Sequence, residues 1–155
     1  MTAMQMTKVG ETDLVVIRRF AAPPERVYAA HTDPVLLQKW MLDPDGWSMP
    51  ECVSEPVPEG AIRFTWANDD GESFSLAGKY VSLDPPNKII HLERFVDMDV
   101  MADTHVTTEF QPDGDGTKLT LTIRYENADA REGALSTGMA DGMAQTYDRL
   151  DALEY

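Results

Sequence analysis

The chain has 155 residues, 43% of them hydrophobic, which suits one domain with a sizeable core and excludes a disordered composition. Its formal net charge of −14 repels phosphates, so nucleic acids and anionic membranes are poor candidate partners. A single cysteine excludes an intrachain disulfide, and neither a signal-peptide core nor a run of about 18 apolar residues is found, so we expect a cytoplasmic protein without membrane insertion.

The N-terminal part predicts one strand followed by two short helices. Residues 1–12 are polar and patternless, so we expect a flexible tail before a single domain spanning 13–155. Asp13–Phe20 is apolar and β-branched, which predicts a strand. Pro24 suits the first turn of a helix, and Thr32-Asp33-Pro34 combines a capping side chain with a proline at the start of a second helix.

The middle of the chain predicts a meander of strands. Short runs of apolar and β-branched residues are separated by turns rich in Asp, Asn, Gly and Pro. The last two runs alternate apolar and polar residues most regularly and are joined by a glycine-containing hairpin turn. The predicted strands are Ala61–Ala67, Ser73–Leu83, Lys88–Val96, Thr104–Gln111 and Thr117–Glu126.

From Ala128 onward the apolar residues recur at spacings of three and four, which predicts one long amphipathic helix. The stripe comprises Leu135, Met139, Met143, Tyr147, Leu150 and Leu153. A meander has one apolar face that must be covered, and this helix is the element able to cover it. We therefore predict an α+β fold in which a curved antiparallel sheet wraps around the helix, with space between them for a small ligand.

Three glycines, Gly133, Gly138 and Gly142, fall within the predicted terminal helix, where each costs about 0.5–1 kcal/mol relative to alanine. They are compatible with close approach of the helix to the sheet. They are equally compatible with an adaptable cavity wall formed together with neighbouring methionines. The sequence leaves both interpretations open.

Several stretches resemble one known family. PPERVYAAHTDPVLLQKW, LAGKYVSLDPPNKIIHLERF, HVTTEFQPDGDGTKLTLT and GMADGMAQTYDRLDAL occur in the order typical of the activator of Hsp90 ATPase homologue 1-like family. That family belongs to the START-like (Bet v 1-like, helix-grip) superfamily. The resemblance implies a helix-grip fold, but its motifs concern folding and do not indicate an activity.

The resemblance also carries departures and expectations about partners. Relatives often have Trp-Trp where this chain has Trp40-Met41, and Gly-Trp where it has Gly142-Met143, so we expect a larger or softer cavity. The eukaryotic co-chaperones of the family carry an additional N-terminal domain, and nothing before Asp13 resembles it, so a chaperone contact is weakly implied. Self-association is common among START-like folds, which makes a homodimer possible.

No pattern of a nucleotide-binding loop, a serine hydrolase or a zinc protease occurs, and His31, His91 and His105 lack metal-ligand spacing. We therefore expect neither a metal nor a cofactor. Cys52 has no partner identifiable from the sequence and is expected to be an inert, small apolar side chain.

The predicted ligand-binding residues are large or flexible side chains that could line the cavity. Trp40 should close one end of it, and Tyr147 should present a hydroxyl from the helix stripe. The full set is Trp40, Trp47, Trp66, His91, Met139, Met143 and Tyr147.

His91 and Glu93 are the candidates for acid–base chemistry. In the strand KIIHLERF they share a face with Ile89, while Ile90 and Leu92 share the other. The cost of burying charge favours His91 and Glu93 in solvent, whereas the resemblance favours them inside. The two arguments nearly balance, with a small margin for the solvent-facing orientation.

The function predicted from these features is binding of a small apolar or amphipathic molecule without catalysis. An enzyme of the cyclase or hydratase type would instead use His91 and Glu93 as an acid–base pair, which requires both side chains inside. A third hypothesis is a chaperone-associated or regulatory interaction protein that uses the acidic exterior.

Overall fold

An antiparallel sheet of eight strands forms the centre of the fold in a computed structural model, which describes residues 4–41, 46–96 and 103–153. The strands are β1 Gln5–Val9, β2 Asp13–Phe20, β3 Trp47–Ser54, β4 Ala61–Asn68, β5 Ser73–Asp84, β6 Lys88–Phe95, β7 Thr104–Asp113 and β8 Gly116–Arg124. The helices are α1 Pro24–Thr32, α2 Pro34–Trp40, α3 Ala128–Leu135 and α4 Met139–Asp151. The predicted α+β class is confirmed, and the architecture is consistent with a helix grip.

The strand order is β1-β2-β8-β7-β6-β5-β4-β3, so the last strand of the chain lies next to one of the first. Leu14 of β2 pairs with Ile123 of β8, and Ile123 pairs with Val106 of β7. All three are buried, as are Tyr147 and Leu150 of α4. We call the side of the sheet that carries these residues, and that packs against the helices, the inner face.

The prediction of a flexible tail over residues 1–12 is wrong for Gln5–Val9, which forms β1 at one edge of the sheet. β1 pairs antiparallel with β2 from Gln5↔Ile17 to Val9↔Asp13. Most of its side chains are exposed, so the sequence shows no apolar alternation. Backbone hydrogen bonds to β2 hold the strand, and such bonds leave little trace in residue type.

β3, at the opposite edge, was not among the predicted strands. Its sequence WSMPECVS contains Pro50, and its pairing with β4 shifts register between Ser48 and Glu51. Proline cannot donate a ladder hydrogen bond and is therefore tolerated at sheet edges and bulges. Pro50 is thus compatible with an edge strand, but it interrupts the residue pattern by which a strand is recognised in the sequence.

The prediction of one long terminal helix is also wrong, because the helix is broken between α3 and α4. Gly138 adopts a left-handed conformation with φ of 82° and caps the start of α4. The hydroxyls of Ser136 and Thr137 donate to the carbonyls of Gly133 and Ala134, which end α3. Ser-Thr-Gly is thus a helix stop of the kind that side-chain hydrogen bonds and a glycine in the αL region produce.

Side chains from distant parts of the chain donate hydrogen bonds to the carbonyls at the C-terminal end of helix α1. Trp40 Nε1–H donates to the Ala30 carbonyl at 2.8 Å, and Ser54 Oγ–H donates to the Thr32 carbonyl at 2.6 Å. The last four carbonyls of a helix have no partner within it. Donors from α2 and β3 therefore fix the end of α1 and tie these elements to each other.

Gly78 of β5 lies where the strand approaches β6 closely. A Cβ atom built on Gly78 would stand 1.8 Å from the Leu92 carbonyl oxygen and 3.0 Å from Glu93 Cα. Both are backbone atoms, which cannot move aside as the end of a side chain can. The site therefore requires glycine for close strand approach.

We expect Gly78→Ala to lower the free energy of unfolding by about 1–3 kcal/mol, because the added methyl group forces β5 and β6 apart. Urea unfolding monitored by circular dichroism measures the change. Gly133→Ala is the control, since no atom lies within 4 Å of its added Cβ and its helix favours alanine. Equal stability of Gly78→Ala and wild type would contradict the close approach.

Candidate functional site

His91 and Glu93 lie on the inner face of β6, so the marginal preference for a solvent-facing orientation is wrong. His91 pairs with Tyr80 of β5 and Val106 of β7, whose side chains are 3% and 2% exposed. Directly paired residues project to the same side of a sheet. The burial cost that argued against this orientation is limited, because the His91 and Glu93 side chains keep 20% and 26% exposure and contact each other.

The two side chains form a hydrogen-bonded pair, with His91 Nε2 and Glu93 Oε1 3.3 Å apart. The His91 ring lies edge-on to that of Tyr80, with centroids 6.5 Å apart. Tyr80 in turn donates its hydroxyl hydrogen to Ser54 Oγ at 2.6 Å, since the Ser54 hydrogen is used on Thr32. This row of polar groups crosses β3, β5 and β6 on one face.

The Glu93 carboxylate acts on two phenols that face it from other elements. Burial raises the pKa of Tyr125 to about 12, and the charge of Glu93 adds to this increase. Burial likewise raises the pKa of Tyr147 on α4, and Glu93 contributes again, opposed by Arg18. Both phenols therefore keep their protons at neutral pH, and Tyr125 directs its hydroxyl to Met139 Sδ at 3.5 Å.

His31 of α1 is a member of the site that sequence reasoning did not identify as functional. Its Nδ1 lies 2.7 Å from the Val27 carbonyl, and its ring packs at 5.0 Å from Trp40 and 5.1 Å from Phe110. Burial, with a smaller contribution from the charge of His91, lowers its pKa to about 4. His31 is neutral at pH 7, so Nδ1–H donates to the carbonyl and Nε2 is left as an acceptor.

The inner face becomes aromatic beyond Glu93. Phe95 follows on the same face of β6 and lies 6.0 Å from Phe74, which stacks on Trp66 at 5.0 Å. Phe64 and Trp47 join them at 6.0 Å from Trp66 and 5.3 Å from Phe74. We call Trp47, Phe64, Trp66, Phe74 and Phe95 the aromatic cluster.

The predicted cavity-lining residues separate into two groups. Trp40 stacks on Tyr147 with centroids 6.2 Å apart and is only 1% exposed, so it belongs to the core beneath α4. Trp47 and Trp66 belong to the aromatic cluster, and Trp66 Nε1–H donates to the Met41 carbonyl at 2.7 Å. Met139 and Met143 are partly buried against the core.

A separate surface groove of about 530 Å³ lies at the other end of α4. The residues around it include Arg18, Phe20, Asp113, Asp148 and Asp151. Arg18 is 3% exposed and contacts the carboxylates of Asp148 at 2.9 Å and Asp151 at 3.6 Å. These ion pairs engage the guanidinium in holding α4 to β2, so we centre the candidate site on His91 and Glu93.

Other candidate chemistries find little support in the part of the chain that the structure describes. Within it, no group of three His, Cys, Asp or Glu side chains is placed to hold a metal ion. Burial and the charge of Asp33 raise the pKa of Cys52 to about 11, so the thiolate needed for reactivity is scarce at neutral pH. Among the described helices, none has the length and apolarity needed to cross a bilayer.

Comparison with protein families gives a match to the model described as activator of Hsp90 ATPase homolog 1-like protein, over residues 21–154. The chain belongs to this family. Members of the Hsp90 ATPase activator-like family share a START-like fold that is usually ligand-binding or regulatory. The resemblance recognised in the sequence is confirmed for the family.

Solved structures share the fold of this chain. A Rhodobacter sphaeroides protein is 35% identical, with a TM-score of 0.90, and the match covers 97% of this chain and 96% of that one. A Mycobacterium smegmatis protein is 22% identical with a TM-score of 0.83, covering 97% and 98% of the two chains. The AHSA1 protein of Silicibacter pomeroyi, 23% identical, has a TM-score of 0.73 and coverage of 90% and 95%. No curated protein matches this chain.

Proposed function

We propose that this member of the Hsp90 ATPase activator-like family binds a small amphipathic molecule between the inner face of the sheet and α4. The observation that carries the proposal is the inward His91–Glu93 pair, which is followed on β6 by Phe95 of the aromatic cluster. The polar part of the ligand would lie at the pair, and its apolar part would lie against the rings. A pocket that is mostly apolar with a few convergent polar groups is the usual form of a ligand site.

Strand pairing places the polar and the apolar parts of the proposed site in order along β5 and β6. Tyr80 pairs with His91, Gly78 with Glu93, and Leu76 with Phe95, so polar positions give way to apolar ones in one direction. The four residue-to-residue steps of strand from His91 to Phe95 span about 13 Å. This length suits a molecule of two or three rings, or a short chain with one polar end.

The surroundings of His31 support a recess inside the fold. His31 keeps some accessible surface, yet burial is the main reason why its pKa falls to about 4. We take the combination of partial exposure and desolvation at His31 as support for a recess beside its ring. The charge of His91 acts on His31, so the proposed recess would lie at the polar end of the site.

Filling the space beside α4 should abolish binding. Met143→Trp introduces the ring that relatives often carry at this position. We expect this variant to bind the neutral fluorescent probe Prodan about tenfold or more weakly than wild type. The reason is that a ring at the partly buried Met143 competes with the probe for the same volume. Val35→Trp is the matched control, because Val35 is 62% exposed on α2 and the same ring there faces solvent. Probe fluorescence titrations measure both affinities.

Saturable binding to wild type and to Val35→Trp, lost in Met143→Trp, supports the site. Wild-type protein that fails to bind the probe saturably, or Met143→Trp protein that binds it as tightly as wild type, would contradict the proposal. Thermal unfolding of each variant confirms that the protein is folded during the titration.

The inward orientation also favours a second candidate, an enzyme of the cyclase or hydratase type. His91 and Glu93 are hydrogen-bonded to each other on the inner face, which is the arrangement that acid–base chemistry on a ligand bound there would require. If the protein is such an enzyme, a ligand co-purified with Glu93→Gln should change in mass or chromatographic retention when wild-type protein is added. A ligand that is unchanged in both respects would contradict catalysis.

The partner, location, oligomeric state and domain boundaries of the protein are further proposals. Association with a chaperone or regulator is suggested by the family description. A cytoplasmic location, a homodimer, and the assignment of 13–155 as one domain also stay predictions.

A further inference from the structure

We propose that the polar group of the ligand is a protonated amine, bound by the Glu93 carboxylate and adjacent aromatic rings. This inference rests on the ligand-binding function proposed above. It adds the charge of the ligand, which the family assignment does not give. The argument depends on the hydrogen bonds of Glu93, the groups around it and the charge of the whole chain.

One oxygen of Glu93 is available to a ligand. Oε1 contacts His91 Nε2 at 3.3 Å, while for Oε2 no donor is found among residues 4–41, 46–96 and 103–153. An ionised carboxylate can accept about four hydrogen bonds through its two oxygens. A part-buried carboxylate with one contact at 3.3 Å therefore retains acceptor capacity for a ligand.

The basic side chains of the molecule leave this carboxylate largely uncompensated. The residues outside the described ranges contain no lysine, arginine or histidine, so any such partner must come from the described part of the chain. There, the basic group placed against Glu93 is the His91 imidazole. Arg18, the buried arginine of β2, is engaged by the carboxylates of Asp148 and Asp151.

The groups around Glu93 suit an ammonium ion. Its inward neighbours on β6 are His91 and Phe95, and the phenols of Tyr125 and Tyr147 feel its charge from other elements. Phe95 leads to the stacked rings of Phe74 and Trp66. Aromatic faces attract cations within about 6 Å of the ring centre, and the attraction grows when water is excluded.

The charge of the whole chain acts in the same direction. A net charge of −14 concentrates cations near the surface and repels anions. A ligand with a carboxylate or phosphate head would be repelled first by the negative charge of the whole chain and then by the Glu93 carboxylate. A ligand with an amine head is attracted at both stages, so charge selects between molecules that share the same apolar part.

Three probes with one apolar body test the inference: 4-phenylbutylamine, 4-phenylbutanol and 5-phenylpentanoate, each titrated by calorimetry. We expect wild-type protein to bind the amine at least about tenfold more tightly than the carboxylate, with the alcohol between them. Glu93→Gln, which keeps the shape of the side chain, should remove this preference by weakening the amine far more than the alcohol. Glu109→Gln is the matched control, because it removes the same charge from the outer face of β7.

The outcomes separate this inference from the function on which it rests. If the alcohol or the carboxylate binds as tightly as the amine, or if Glu93→Gln keeps the preference, the amine assignment is overturned and ligand binding stands. If none of the probes binds and Prodan also fails to bind, both proposals are overturned. A preference that Glu109→Gln removes as fully as Glu93→Gln would assign the selectivity to overall charge and overturn the role of Glu93.

Discussion

Trp40→Ala will lower the free energy of unfolding by about 3–5 kcal/mol, the loss typical of a large ring removed from a packed core. Trp40 is 1% exposed, and its ring contacts those of His31 and Tyr147. The substitution also removes the indole donor from the Ala30 carbonyl, which leaves an acceptor at the end of α1 without its partner. For a chain of this size, the melting temperature should fall by roughly 10 °C.

Differential scanning calorimetry and urea unfolding measure this loss. Trp47→Ala provides the comparison, because Trp47 is only partly buried on the edge strand β3 and should cost clearly less. Trp40→Phe keeps a ring and removes the donor, so it should fall between wild type and Trp40→Ala. A loss below about 1 kcal/mol for Trp40→Ala would show that the core does not close around this ring.

His31 will make the protein less stable as the pH falls from about 6.5 to about 4. In the folded protein burial lowers the pKa of His31 from its ordinary 6.5 to about 4. Between these values the unfolded chain binds a proton that the folded chain excludes, so acid favours unfolding. The full effect of this pKa difference is about 3 kcal/mol, absent above the ordinary pKa and complete near pH 4.

Urea unfolding of wild type and His31→Gln, measured from about pH 8 to about pH 4, isolates this effect. Carboxylates titrate in both proteins and cancel in the difference between them. The stability of wild type relative to His31→Gln should be constant at the alkaline end and decline toward acid. His105→Gln, which removes an exposed imidazole from β7, is the matched control. A difference that does not vary with pH would mean that His31 is solvated in the folded state.

Regular alternation made most of the sheet predictable. β7 and β8 follow the period of two residues closely because one face of each is buried and the other is solvated. β1 lacks this contrast since nearly all its side chains are exposed, and β3 loses it at Pro50. Edge strands are held by backbone pairing on one side, so their residue types are only weakly constrained.

In the C-terminal helices the buried side chains were predicted correctly, but the break in the helical backbone was not predicted. Tyr147 and Leu150 are buried, as the apolar stripe predicts, yet the stripe crosses the break at Gly138 without interruption. Periodicity reports which side chains face the core, and two helices in succession satisfy it as well as one. Ser136-Thr137-Gly138 was the available signal for the break.

The candidate site was predictable by residue type but not by orientation. In KIIHLERF both faces carry apolar residues, so alternation cannot choose between them. The pairing of His91 with Tyr80 and Val106 determines which face of the strand is buried. This pairing depends on β5, β6 and β7 together. The ion pairs of Arg18 were missed for a related reason, because its partner Asp148 on α4 lies 130 residues away in the sequence.

The strand order sets a limit on how the chain can reach this fold during synthesis. β8 is the last strand made and lies between β2 and β7, near the middle of the sheet. Until it emerges, the β1–β2 hairpin has no neighbour, and the meander from β3 to β7 ends in an unpaired edge. Contacts between residues far apart in sequence close large loops and form slowly. Completion of the sheet and docking of α4 are therefore expected only after β8 and the helices that follow it have left the ribosome.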